Sequence, residues 1–133
     1  MNIWLIIAGL LSLLAAILHL VIIYFGTPWY KFFGAGKKIV QMSKEGSVYP
    51  AILTFAIASV LFIWALYAFS GAGLIATLPG LQIVLLLITS IYVLRGLAVI
   101  PLYILIPRRV DKFMVWSSVI SLMFGLVHLI AII

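Results

Sequence analysis

The sequence contains no cysteine and only two acidic residues, Glu45 and Asp111. Because the chain has no thiol group, it cannot form disulfides, use thiol catalysis or ligate an iron–sulfur cluster through cysteine. No Ser–His–Asp set, phosphate-binding glycine loop, zinc motif or carboxylate pair is present either. Most hydrolytic and transfer chemistry therefore has no general base except His19 or His128. We predict no catalytic residues, no metal site and no cofactor, and we expect a protein that is not an enzyme.

Charge of both signs is scarce, since 68% of the 133 residues are hydrophobic and 8% are charged. Soluble domains carry about 25% charged residues, so lipid must be the solvent for much of this chain. Continuous apolar runs favour helices over the alternating strands of a barrel. The sequence predicts an all-α polytopic membrane protein whose four transmembrane helices form a bundle. We expect one domain over residues 1–133, with spans at about 3–25, 49–69, 81–101 and 113–133.

All eight Lys and Arg residues fall on one side of a bilayer crossed by these spans. They are Lys31, Lys37, Lys38, Lys44, Arg95, Arg108, Arg109 and Lys112. Because cytoplasmic loops carry the excess of Lys and Arg, the pattern predicts an inner (plasma) membrane protein with both termini outside the cytoplasm. We expect membrane lipids as partners and no nucleic acid. The predicted head-group contacts are Lys31, Lys37, Lys38, Arg108, Arg109 and Lys112.

The first basic loop, about residues 26–48, is too long for a tight connection. Thr27-Pro28 is typical of an N-cap followed by the first helical residue. Gly34-Ala35-Gly36 breaks the run, and Lys37–Lys44 is predicted to form a second short helix. Aromatic residues mixed with Lys suit the head-group region, so we predict an interfacial helical loop. The alternative is a docking surface for another subunit.

Small residues recur at helical spacing in three of the four runs. Small side chains let helices approach closely in lipid, so these stripes are expected to face the bundle interior or a symmetry mate. The stripes are Ala8, Ser12, Ala16 and His19 in the first run; Ala51, Thr54, Ala58, Ala65 and Ala68 in the second; and Ser118, Ser121, Gly125 and His128 in the fourth.

Two histidines lie within the predicted spans, and both are candidate ligand-binding residues. A buried His pair suits haem or a metal ion. However, the first and fourth spans run in opposite directions, which separates His19 and His128 by about 15 Å along the bilayer normal at 1.5 Å per residue. One shared site is therefore disfavoured. The alternatives are a neutral His hydrogen-bonded across helices, and a proton-relay or ligand-binding role.

Arg95 is the one charged residue inside an apolar run. The run from Leu81 to Ile106 would measure about 39 Å as a straight helix, which exceeds the bilayer core. Pro101 is expected to kink or end it. Arg95 then either snorkels to the cytoplasmic surface or lies deep. Tyr92, three residues earlier, could support it. Two roles stay open: a structural Arg, snorkelling or paired with an acid, and an anion site for a head group or acidic ligand.

The leading function is therefore a small non-enzymatic membrane protein that binds a lipophilic or anionic amphiphilic ligand, or serves as an accessory subunit of a membrane assembly. The ligand would contact Arg95, Tyr92, His19 or His128. A small oligomeric transporter or channel is the alternative, with a homo-oligomer as the expected assembly. Four-helix multidrug exporters share this length and span count, but the acid they need in the first span has no counterpart here. A membrane enzyme or haem-binding subunit using His19 or His128 is the second alternative.

Overall fold

A computed structural model describes residues 2–33, 36–110 and 112–133, and every regular element in these residues is helical. Four helical segments are long and apolar enough to cross a membrane. The predicted all-α protein with four transmembrane helices is therefore confirmed. The elements are α1 (Ile3–Phe25), α2 (Thr27–Phe32), α3 (Lys37–Lys44), α4 (Tyr49–Gly71), α5 (Leu81–Leu97), α6 (Val99–Leu105), a 3₁₀ turn (Pro107–Arg109) and α7 (Lys112–Ile132).

The chain divides into two compact units. The first unit combines residues 1–12 with residues 64–133, and the second unit comprises residues 13–63. Helices α1 and α4 each contribute residues to both units. The expectation of one domain over residues 1–133 stays a prediction.

In the first unit, Asn2 fixes the beginning of α1. Its side-chain oxygen accepts hydrogen bonds from the backbone N–H groups of Trp4 (3.1 Å) and Leu5 (3.3 Å). These N–H groups have no partner within the helix, so Asn2 acts as its N-cap. The Asn2 amide nitrogen also donates to the carbonyl of Ala131 at 2.8 Å. The first turn of α1 is thereby joined to the last turn of α7.

Helices α5 and α7 approach each other at two glycines. A Cβ on Gly96 would lie 2.7 Å from the backbone nitrogen of Leu122, and a Cβ on Gly125 would lie 2.8 Å from that of Val93. Both distances are shorter than real Cβ contacts allow. Glycine is required at these positions because only its missing side chain permits backbone contact between the helices.

The small-residue stripes point inward within each unit, as predicted. In the first unit Ala8, Ser12, Ala65, Ala68, Ser118, Ser121, Gly125 and His128 are buried. In the second unit Ala16, Thr54 and Ala58 are buried, whereas His19 and Ala51 are half-buried.

The third apolar run does not end at Pro101. Helix α5 ends at Leu97, and α6 continues the run to Leu105. Pro101 has no N–H to donate to the preceding turn, and the next bond, from Leu102 N–H to the carbonyl of Ala98, is stretched to 3.4 Å. The break therefore falls at Ala98, on the amino-terminal side of the proline. Helix α6 contains no buried residue.

The loop of the second unit contains the two short helices that the sequence indicated. Gly26, not Thr27, precedes the first helical residue, and its φ of 76° is one that glycine adopts without strain. The N-cap prediction for Thr27 is therefore wrong. The Thr27 hydroxyl instead pairs with the Ser43 hydroxyl at 2.6 Å and joins α2 to α3. The predicted break at Gly34 and Ala35 lies outside the described residues.

Candidate functional site

Tyr92 is the residue at which all four long helices of the first unit meet. Its side chain is buried, and its hydroxyl lies 2.8 Å from that of Ser12 on α1. Trp64 on α4 and Phe124 on α7 pack edge-on against its ring, with centroids at 5.0 and 5.5 Å. The Ser121 hydroxyl of α7 donates to the Tyr92 carbonyl at 2.9 Å. The hydroxyl and the backbone carbonyl of Tyr92 therefore have partners within the core.

His128 lies beside Tyr92 and has no exposed surface, with the two ring centroids 5.2 Å apart. Its Nδ1 is 2.8 Å from the carbonyl oxygen of Phe124. A carbonyl only accepts, so Nδ1 carries the proton, and Nε2 of the neutral ring presents a lone pair. No donor in the described part of the chain reaches this buried Nε2. Tyr92 and His128 thus form a core cluster of two predicted ligand-binding residues.

Arg95 lies three residues after Tyr92 on α5, but its side chain is exposed. Its Nη2 donates to the Ser117 hydroxyl at 2.9 Å, and its Nη1 makes a longer contact with the Ser117 carbonyl at 3.4 Å. The Tyr92 hydroxyl is hydrogen-bonded to Ser12. The structure adds Ser117 as the residue that orients the guanidinium, and a supporting role of Tyr92 for Arg95 stays a prediction.

The position of Ser117 shows where the Arg95 guanidinium lies along the helices. Ser117 is five residues after Lys112, the first residue of α7. At 1.5 Å per residue this places the guanidinium about 7.5 Å from that end of the helix. The helical run continues beyond Arg95 into α6, and the Arg95 side chain extends to α7. The depth of the guanidinium in a bilayer stays a prediction.

The charge of Arg95 has no carboxylate partner among the described residues. Glu45, the only acid among them, accepts a hydrogen bond from Gln41 within α3 at 3.0 Å. Asp111, the other acid of the sequence, lies outside the described residues. A guanidinium has five N–H donors, and Ser117 engages two of them. The other three N–H groups of this exposed guanidinium have no partner in the part of the chain that the structure describes.

His19 belongs to the second unit and is half-buried. Its Nδ1 lies 2.6 Å from the carbonyl of Ala15, so this nitrogen also carries a proton. The structure does not bring the two histidines together within either unit. Among the described residues there is no group of three or more His, Cys, Asp or Glu side chains that could hold a metal ion.

The predicted head-group cations lie at the ends of helices. Lys31, Lys37 and Lys38 are exposed on α2 and α3 of the second unit. Arg108 in the 3₁₀ turn and Lys112 at the beginning of α7 are exposed in the first unit. The side chain of Arg109 lies outside the described residues. The exposed cationic side chains are therefore accessible to the phosphate groups of lipids.

No protein-family model matches the chain, no curated protein matches it, and no solved structure matches it. The chemistry of the site therefore follows from its own geometry.

Proposed function

We propose that this non-enzymatic membrane protein binds an anionic amphiphile, with Arg95 contacting its phosphate or carboxylate group. The observation that carries the proposal is an exposed guanidinium within an apolar helical run, held by Ser117 and facing no described carboxylate. An Arg costs about 2.5–3.5 kcal/mol at the bilayer centre, and a side chain that extends toward the surface still bears part of this cost. An anionic head group offsets this cost, because the planar fork of N–H groups matches two oxygens of one phosphate or carboxylate.

The proposed ligand also suits the surroundings of Arg95. The same helical run carries the exposed apolar side chains of Leu94, Ile100 and Ile104. A lipid bound by its head group at Arg95 would lay its tail against such surfaces. The core cluster of Tyr92 and His128 is not part of this contact, since both side chains are buried. We assign Tyr92 a role in holding the helices together.

The orientation of the chain belongs to the same proposal. All eight cationic residues follow the first span, or lie late in the third span and after it. The positive-inside tendency then places both loops in the cytoplasm and both termini outside. The cytoplasmic leaflet carries the anionic lipids, so Arg95 would face the leaflet that supplies its ligand. We therefore propose the inner membrane as the location.

The test is lipid retention in native mass spectrometry after transfer from bilayers of phosphatidylcholine and phosphatidylglycerol into a mild detergent. The Arg95→Gln variant is expected to retain one fewer phosphatidylglycerol than the wild type, because it loses the charged fork. Lys44→Gln, which removes an equal charge from an exposed site in the other unit, is the control and should retain the wild-type number. Equal retention of phosphatidylglycerol by Arg95→Gln and the wild type would contradict a lipid site at Arg95.

The other predicted functions stay predictions. A transporter or channel needs a water path or a symmetric assembly, and a haem subunit needs an accessible axial ligand. No observation on the described residues favours either function over lipid binding.

A further inference from the structure

The second unit contains an apolar groove of about 470 Å³ between α1 and α4. Its floor is formed by Ala16 and Ala58, each 3% exposed. Its walls include Ile17, Leu20 and Phe55, which are 47%, 46% and 59% exposed. The groove is therefore open on the outer surface of α1 and α4. Its volume lies within the range of about 300–1,000 Å³ that is typical of ligand pockets.

The lining presents no unsatisfied polar group to an occupant. Ser59 is the only polar residue of the lining, and its hydroxyl donates to the carbonyl of Phe55 at 2.9 Å. A polar ligand would find no hydrogen-bond partner in the groove, whereas an alkyl chain has no hydrogen bonds to lose when it enters. The groove consequently selects for a hydrocarbon chain.

The groove lies within two apolar helices that are long enough to cross a membrane. It extends from Leu13 to Leu20 on α1 and from Phe55 to Ile63 on α4, which corresponds to about 10–12 Å along the helices. Its nearer end is five residues from the end of α1 at Phe25, or about 8 Å. A chain in the groove would thus begin just below the level of α2 and α3.

A cationic surface occupies that end of the second unit. Lys31, Lys37 and Lys38 are exposed on α2 and α3. The two short helices are held together by the hydrogen bond between Thr27 and Ser43 at 2.6 Å. The ring of Trp29 stacks on Phe25 at 4.7 Å, which anchors α2 to the end of α1. The lysines are thereby carried by two short helices that are joined to each other and to the end of α1.

We propose that the groove holds an acyl chain of an anionic membrane phospholipid, whose phosphate contacts Lys31, Lys37 and Lys38. This site is separate from Arg95, which belongs to the first unit. Charge complementarity favours a phospholipid over a second copy of the chain. Two copies inserted in the same orientation would bring their cationic α2–α3 segments to the same side of the membrane, where like charges repel.

The test fills the groove without disturbing the packing beneath it. Ser59 is half-buried in the lining, and a Ser59→Leu side chain would occupy the space of the acyl chain. Ser59→Ala leaves the groove open and controls for loss of the hydroxyl. Ser90→Leu is the matched control in the first unit, because the Ser90 hydroxyl also donates only to its own helix, at 2.8 Å from the Leu86 carbonyl.

Native mass spectrometry of protein taken from phosphatidylcholine and phosphatidylglycerol bilayers then counts the retained lipids. Ser59→Leu is expected to lose one phosphatidylglycerol, with retention at this site falling about tenfold, which is about 1.4 kcal/mol. Ser59→Ala and Ser90→Leu should match the wild type. The double variant Ser59→Leu/Arg95→Gln should lose two lipids. The two single variants therefore test the groove site and the Arg95 site independently.

Substitution of Lys31, Lys37 and Lys38 by Gln tests the head-group contact. This triple variant should lose the preference for phosphatidylglycerol over phosphatidylcholine, whereas the triple Arg variant should keep it. Equal lipid counts for Ser59→Leu and Ser90→Leu would overturn the proposal. A wild-type dimer that Ser59→Leu converts to a monomer would also overturn it, because the groove would then hold a second copy.

Discussion

The hydroxyl groups of Ser12 and Tyr92 lie 2.8 Å apart, although 80 residues separate them along the chain. Ser12 has no exposed surface and Tyr92 is 6% exposed, so water does not compete for this bond. The pair joins α1 to α5 beside the ring contacts that Tyr92 makes with α4 and α7. A hydrogen bond between two otherwise apolar helices therefore fixes their relative register.

Removing either hydroxyl is expected to destabilise the first unit. Tyr92→Phe and Ser12→Ala should each lower the free energy of unfolding by about 0.5–2 kcal/mol, the range for hydrogen bonds between membrane helices. The double variant should lose less than the sum, because both changes remove the same bond. Unfolding in mixed micelles with increasing denaturing detergent measures these values. Ser90→Ala is the control, and strictly additive losses would show that the two hydroxyls act separately.

The contact between α5 and α7 predicts a graded response to added methyl groups. Gly96→Ala and Gly125→Ala place a Cβ within 2.8 Å of backbone atoms, so the helices must move apart. We expect each to cost about 1–3 kcal/mol of unfolding free energy. At Gly9 the nearest atoms are the ring of Phe69 at 2.6 Å, and this side chain can rotate away. Gly9→Ala should therefore cost less, and an equal or larger loss at Gly9 would contradict the role of close backbone packing.

The unpaired Nε2 of His128 predicts that this histidine contributes little to stability. His128→Leu keeps a similar volume and removes a buried acceptor that has no described partner. The Phe124 carbonyl keeps its helical partner, so we expect the unfolding free energy to change by less than about 1 kcal/mol. The same micelle titration measures it, with Tyr92→Phe as the comparison. A loss above about 2 kcal/mol would contradict this prediction.

The helices and their inward faces follow from local features of the sequence. Long apolar runs bounded by charges, glycine and proline can satisfy their backbone in lipid only as helices. Small residues at helical spacing mark the face that packs, and Ser12, Ala58 and Gly125 lie on such faces. These signals need no knowledge of neighbouring helices, which is why they could be predicted.

The partners of individual polar groups depend on helix register, and the sequence does not encode register locally. Ser117 meets Arg95 because Gly96 lies against Leu122 and sets how α5 and α7 are aligned. The pair of serines at 117 and 118 could have suggested a polar partner, but not which of the two faces Arg95. The bond between the Tyr92 and Ser12 hydroxyls likewise depends on how α1 and α5 are aligned.

The orientation of the chain can be tested directly because the sequence contains no cysteine. Single cysteines at Val48 and Ile133, which are 68% and 90% exposed, give labels without background. A membrane-impermeant maleimide added to intact cells is expected to label Ile133→Cys and to spare Val48→Cys. Permeabilised cells should show labelling of both variants, which controls for reactivity.

The expected pattern has a physical cause in the distribution of lysine and arginine. Loops rich in these residues are retained on the cytoplasmic side, and all eight are placed on one side by an even number of spans. Labelling of Val48→Cys in intact cells would place the α2–α3 segment outside. Arg95 would then face the outer leaflet, and neither it nor the lysines of α2 and α3 would meet the anionic lipids of the cytoplasmic leaflet.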